Sequence, residues 1–150
     1  MKIEHVALWV TDLDLVKAFY EKYFEAKAGD RYHNPKTRFS SYFLNFDEGS
    51  RLELTNKKHL SPRIADALGY GHIALSVGDK EAVDAKTGQL VADGFPLLTG
   101  PRTTGDGYYE SVVQDPEGNL VEITGSIINS VGEIQLSLIG TIFVYAKRRT

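Results

Sequence analysis

Two stretches of this chain are near copies of two others, and that repetition constrains the fold more than any other feature. His5-Val6-Ala7-Leu8-Trp9-Val10 returns as His72-Ile73-Ala74-Leu75-Ser76-Val77, and Gly49-Ser50-Arg51-Leu52-Glu53-Leu54-Thr55 returns as Gly118-Asn119-Leu120-Val121-Glu122-Ile123-Thr124. Each copy therefore runs from a histidine to a glutamate. The histidines lie 67 positions apart (72 − 5) and the glutamates 69 (122 − 53), so a two-residue insertion reconciles the copies. Internal repetition of this kind marks a duplicated supersecondary unit. A unit of about 60 residues buries too little surface to be secure alone, so the halves are expected to depend on each other.

Within each copy the periodicity changes along the chain. Alternation over residues 3–10 places Val6, Leu8 and Val10 on one face of a strand and His5, Ala7 and Trp9 on the other. Thr11-Asp12 offers an N-cap, after which Val16, Phe19, Tyr20, Tyr23 and Phe24 form the stripe of an amphipathic helix that covers the Val6 face. A short strand is expected around residues 31–33, longer ones over 39–46 and 51–55, and a hairpin turn at Asp47-Glu48-Gly49-Ser50. Ser61-Pro62 suggests a short connecting helix through Leu68. The second copy repeats the plan. His72, Ala74 and Ser76 oppose Ile73, Leu75 and Val77, and a helix stripe runs through Val83, Thr87, Leu90 and Val91, closed by Asp93-Gly94-Phe95-Pro96. Gly100, Pro101, Gly105 and Gly107 suggest a mobile loop over 100–107, followed by strands over 108–114 and 120–124 joined by the turn Asp115-Pro116-Glu117-Gly118-Asn119. After Gly125 nothing matches the first copy. Residues 126–150 form an appendage, apolar from Ile134 to Ala146, that could be an edge strand, a helix packed across a dimer, or residues added for expression.

Composition narrows the function. A net charge of −3 and a pI near 5.8 give no reason to expect nucleic acid or an anionic membrane as partner. The absence of cysteine excludes disulfides, clusters and thiolate metal sites. No segment reaches the roughly 20 apolar residues of a membrane span and no signal peptide is visible, so the default location is cytoplasmic.

Taken singly, a histidine at a strand start or a glutamate on an open sheet face is an ordinary solvated residue. The duplication changes this, because residues at equivalent points of two copies related by a pseudo-twofold axis converge. His5, Glu53, His72 and Glu122 would then line one cleft, each opposite its apolar neighbours. Two imidazoles and two carboxylates suit Zn²⁺, Ni²⁺, Co²⁺, Fe²⁺ or Mn²⁺ and are poor ligands for Cu⁺ or a cluster. Four such ligands on a six-coordinate ion leave two places for water or for two oxygens of one substrate. His33, beside a turn, and His59, beside Lys57-Lys58, are weaker candidates.

The strand opened by His5, Ala18-Phe19-Tyr20 in the first helix, the Glu53 strand, Gly71-His72-Ile73-Ala74-Leu75-Ser76-Val77 and Asp115-Pro116-Glu117-Gly118-Asn119-Leu120-Val121-Glu122 together resemble the vicinal oxygen chelate superfamily. That group contains glyoxalase I (lactoylglutathione lyase), bleomycin- and fosfomycin-resistance proteins and extradiol dioxygenases. The resemblance spans residues 3–124 and is closest to glyoxalase I, whose four metal positions are occupied here by His5, Glu53, His72 and Glu122. It implies an α+β fold of two tandem βαβββ modules, here residues 1–57 and 71–125 with a connecting segment over 58–70, all within one domain of residues 1–125. It also implies one divalent metal ion, with Ni, Co or Zn ahead of Fe or Mn, and a homodimer in which modules of two chains can share a site. The implied reaction isomerises a small molecule with vicinal oxygens through a chelated enediolate, with Glu122 as the base and Glu53 its counterpart.

One departure bears on the substrate. Bacterial glyoxalase I enzymes carry an arginine four residues after the first histidine, where this chain has Trp9. An indole in place of a guanidinium points to a more apolar or aromatic substrate, unless Trp9 merely fills the core. Asn56 stands near a second substrate-contacting position, and Arg102 could supply the missing cation. The competing functions are a metal-free protein that sequesters a drug or metabolite, as bleomycin-resistance proteins do, and a ring-cleaving dioxygenase. Two facing carboxylates have no purpose in the first, and the extra glutamate takes a position that dioxygen chemistry would use.

Overall fold

In a computed structural model, described here for residues 1–65 and 67–125, each copy folds as its own sheet with one helix laid against it. The first comprises β1 (His5–Trp9), α1 (Leu13–Phe24), β2 (Lys27–Ala28), β3 (Tyr32–Asn34), β4 (Phe39–Asn45) and β5 (Arg51–Asn56). The second comprises β6 (Ile73–Gly78), α2 (Lys80–Ala92), β7 (Leu97–Thr103), β8 (Tyr109–Gln114) and β9 (Leu120–Gly125). Strand order is β1-β5-β4-β2, with β3 also on β4, and β6-β9-β8-β7. The fold is the α+β pair of βαβββ modules that the family resemblance implies. In each module the first strand runs parallel to the last, and the registers correspond: Ala7 lies opposite Glu53 and Ala74 opposite Glu122.

The helices form where caps and stripes coincide. Asp12 caps α1 by accepting from the Asp14 and Leu15 amides, and Leu13, Val16, Phe19, Tyr20 and Tyr23 are buried beneath it. Asp79 caps α2 through the Ala82 amide, and Val83, Thr87 and Leu90 are buried. Thr87 tolerates this because its hydroxyl donates to the Val83 carbonyl at 2.7 Å and pairs with Ser111 Oγ at 2.6 Å. Val91, expected in the stripe, is 45% exposed, whereas its counterpart Phe24 is half-buried against the core.

The two modules share one core, running from Val10, Val16, Leu44 and Leu54 to Val83, Leu90, Val113 and Ile123. Phe95, just beyond α2, packs its ring 4.9 Å from Phe19 and 5.3 Å from Tyr23. Polar ties reinforce that seam. Lys22 and Tyr23 on α1 both donate to Asp93, and the Glu117 carboxylate accepts from the amides of Thr11 and Asp12 at the start of α1.

Two expectations fail. Residues 61–65 and 67–68 form no helix; Ile64 and Leu68 are 74% and 106% exposed, so the segment has no buried face to offset the cost of helix nucleation. The glycine- and proline-rich stretch is not a loop over its whole length, because Leu97–Thr103 is strand β7 and only residues 104–108 turn. Gly100 sits there for space. It has φ +84°, and a Cβ at that point would lie 2.4 Å from the Glu110 carbonyl oxygen, so only glycine lets β7 irregularly pair with β8. The appendage lies outside the described residues.

Candidate metal centre

Alternation along β1 and β5 builds the first half of the site. Ala7 has only a methyl group to set against Glu53, its partner across the ladder, and Glu53 lies beside His5, with Nε2 3.7 Å from Oε2. The second half repeats it: Ala74 stands opposite Glu122, and His72 Nε2 lies 3.1 Å from Glu122 Oε2. Both glutamate side chains are 15% exposed and both histidines roughly half exposed, so each pair is a carboxylate set into a sheet with an imidazole at its mouth. Two donors at right angles on an ion with bonds of about 2.1 Å stand about 3.0 Å apart, so the donor chemistry of both pairs suits a divalent cation and the 3.1 Å His72–Glu122 spacing matches it, while the His5–Glu53 pair at 3.7 Å stands wider and would have to close on an ion.

The chain presents these residues two by two. Among the described residues no group of three or more histidine, aspartate or glutamate side chains converges on a point. A cavity of about 740 Å³ among the described residues lies between the modules on the helix side, lined by Phe24, Phe46, Leu52, Ile73 and Val77, and holds none of the four. A smaller one of about 290 Å³ runs between β1 and β6 and includes His72.

Around the pairs the structure adds residues that sequence reasoning missed. Glu4 binds His5 Nδ1 and also Arg51, whose guanidinium lies 4.1 Å from the centre of the Phe43 ring. The hydrogen bond from His5, assisted by Arg51, holds the Glu4 carboxyl below its usual range, so it is a carboxylate and Nδ1 is the donor. In the neutral ring this donation leaves the lone pair on Nε2, the nitrogen that faces Glu53. Alternation carried back from His5 would set Glu4 on the Val6 face, but β1 begins only at His5, so alternation does not apply to it.

Glu110 is the second omission. It faces Thr124 on β9, is 13% exposed, and lies 3.7 Å from Arg102 on β7. Burial first, then the charge of Glu110, raises the Glu122 carboxyl above its usual value, with the His72 charge opposing. The signal was a glutamate two residues along the strand from Val112, which pairs with Glu122, on a face already expected to be polar.

The remaining candidates separate. Trp9 is not core: it is 49% exposed on the His5 face, edge-on to Phe39 with ring centres 6.3 Å apart, and Lys57 lies 4.6 Å over its ring. Asn56 uses its amide Nδ2 to hold the carbonyls of Val10 and Thr11 at 2.7 and 3.1 Å, fixing the end of β1. Arg102 is on β7 beside Glu110, with its side chain 58% exposed. His33 bonds Ser40 Oγ at 2.8 Å on the face of β4 that carries Tyr42 and Leu44, opposite to the metal pairs, and His59 is exposed. No helix among the described residues is long and apolar enough to cross a membrane.

Comparison with known proteins agrees with this architecture. The chain is 29% identical over 129 residues to a lactoylglutathione lyase of Haemophilus influenzae, covering 81% of this chain and 90% of that protein. The glyoxalase I of Leishmania major, described as trypanothione-dependent, superposes with a TM-score of 0.68 at 24% identity over 83% of this chain and 86% of that one. The fosfomycin resistance protein FosX of Listeria monocytogenes, complexed with Mn(II) and sulfate, superposes with a TM-score of 0.64 at 20% identity over 84% and 93%. At these identities the two structures speak for the fold. Residues 2–123 match the family model of the glyoxalase/bleomycin resistance protein/dioxygenase superfamily, and the chain belongs to that family.

Proposed function

We propose that this protein is a metal-dependent enzyme of glyoxalase I type, isomerising a small molecule with neighbouring oxygens. The observation that carries the reading is the duplicated His–Glu pair, His5 with Glu53 and His72 with Glu122, at N–O separations of 3.7 and 3.1 Å. A pair alone is a weak site. Two pairs together supply two imidazoles and two carboxylates, and a homodimer that sets one chain's β1–β5 pair against its partner's β6–β9 pair brings all four onto one ion.

A divalent cation bound there, with Ni, Co or Zn preferred and Fe or Mn compatible, supplies Lewis-acid stabilisation of negative charge developing on the substrate's two oxygens. The protein's own residues do the rest. Glu122 accepts the proton from the substrate carbon that bears the hydroxyl and returns it to the carbon that bears the carbonyl, while the hydroxyl proton passes to the former carbonyl oxygen, so the two carbons exchange oxidation level with no net change in composition. In the chain without metal, burial and then the charge of Glu110 raise the Glu122 carboxyl above the usual value. Glu53 is the counterpart ligand. Arg102, tethered near Glu110, offers a cation to an anionic part of the substrate, Trp9 an apolar surface, and Asn56 holds the strand end that presents Trp9.

A metal-free sequestering protein would carry no ion, and elemental analysis of metal-replete protein separates the two functions, with one ion per chain expected. Hemithioacetal turnover by Glu122→Gln should fall at least about 100-fold while the fold is kept. Unimpaired turnover by that variant removes Glu122 as the base.

A further inference from the structure

Across the first sheet, four residues stand in one row: Trp9 opposite Thr55, Thr55 opposite Ser41, and Ser41 opposite Tyr32. The two ends are aromatic and open to solvent, at 49% and 54% exposure, while Thr55 and Ser41 between them are buried. Phe39, two residues from Ser41 on the same face, lies 6.3 Å from the ring centres of both Trp9 and Tyr32. The accessible surface at this end of the sheet is thus a shelf of three rings. It adjoins the row Ala7–Glu53–Phe43, which carries the first half of the metal centre. Exposed aromatics grouped at the edge of a polar site, where they gain nothing from burial, are a binding feature rather than a packing one.

Charge selects the ligand further. Lys57 lies over the Trp9 ring and forms no ion pair with a described residue, so an ammonium group is held at the shelf without a carboxylate to neutralise it. No aspartate or glutamate takes part in the row.

We infer that this shelf is the subsite for the planar aromatic group of an anionic ligand, placed so that the ligand's vicinal oxygens reach the His5–Glu53 end. The inference rests on the proposed function for the position of the oxygens, and on the row itself for the ring and the charge. It makes the preferred substrate an aryl-substituted hydroxy- or oxo-acid, or its thiol adduct, in place of an aliphatic one.

The chain has one tryptophan, so its emission reports Trp9 alone. Mandelate and lactate share a carboxylate and a neighbouring hydroxyl and differ by a phenyl ring, and mandelamide keeps the ring without the charge. Titrated into the full-length, Co²⁺-loaded protein, with calorimetry in parallel, mandelate should shift the emission and bind about tenfold or more tightly than lactate. Phe39→Leu, which keeps the reporter, should remove most of that preference. Lys57→Gln should weaken mandelate and leave mandelamide unchanged. The metal-free protein should keep the preference for the ring at lower affinity, which separates this inference from the metal reading.

Equal binding of mandelate and lactate, no binding of either, or a Phe39→Leu variant with the full preference would overturn it, even if Glu122→Gln abolishes turnover. Dissociation of a dimer by Phe39→Lys, with mandelate affinity intact, would assign the shelf to a contact between chains and equally overturn it.

Discussion

A metal-binding imidazole works only if one nitrogen is held and the other is free, and His5 meets that condition through Glu4. Removing the carboxylate's charge should loosen the ring and lower the basicity of Nε2. Glu4→Gln is therefore expected to weaken Co²⁺ or Ni²⁺ affinity about 10- to 100-fold, measured by competition with a chromophoric chelator, with the melting temperature little changed because Glu4 is exposed. An unaltered affinity would mean that Glu4 does not orient the ring. His72 has no such partner among the described residues, so the two halves are alike in ligands and unlike in support. This asymmetry was invisible in the sequence. The repeat singled out His5, Glu53, His72 and Glu122 as candidates because equivalent spacing is a property of the chain, whereas Glu4 and Glu110 depend on where a strand starts and which strand lies beside it.

At the scale of elements, legibility followed the amount of buried apolar surface. Both helices and the long strands were readable because their stripes and alternations are fixed by the core, from Val16 and Tyr20 under α1 to Val121 and Ile123 on β9. The failures came where the chain buries little or follows a special conformation: Ser61-Pro62 carries a helix-start signal but Ile64 and Leu68 beyond it stay exposed, and Gly100 reads as a loop residue but serves a strand. The turn over 115–119 was read as a connection only. It is also a clasp, because Asp115 accepts from the Glu117 and Asn119 amides and so aims Glu117 at the start of α1. There Glu117 meets the Thr11 amide and hydroxyl and the Asp12 amide at 2.6–2.9 Å. A carboxylate at a helix N-terminus is favoured by the helix dipole as well as by the bonds. Glu117→Ala should cost about 1–3 kcal/mol of stability in urea unfolding. A loss within error of zero would show that the clasp is solvated and dispensable.

For the whole molecule the question is how two half-sites become one. Within a chain the modules are tied through the α1–Phe95 seam, which the Lys22–Asp93 pair makes dependent on pH. Hydrogen bonds from Lys22 and Tyr23 hold the Asp93 carboxyl below its ordinary value of 3.8, and the bond to Asp93 pushes Lys22 up to about 12. A depressed acid contributes stability above its unfolded pKa and loses it as the pH falls through the folded one. The stability gap between wild type and Asp93→Asn should therefore be constant near neutrality and close below about pH 4 in a denaturation series. A gap that stayed constant into strong acid would exclude the pair as its source. Among the described residues the two His–Glu pairs of one chain do not converge on one point, which makes assembly across a dimer testable by complementation. One variant, His5→Ala/Glu53→Ala, has no first half-site, and another, His72→Ala/Glu122→Ala, has no second. If each ion sits between the first module of one chain and the second module of its partner, a mixed dimer carries one fully intact site and one fully empty site. Random exchange of equal amounts makes about half the dimers mixed, so co-refolding two inactive proteins should restore about one quarter of the wild-type Co²⁺ absorbance and turnover. If instead the four ligands meet within a chain, every chain in the mixture is missing one pair and nothing is restored at any ratio.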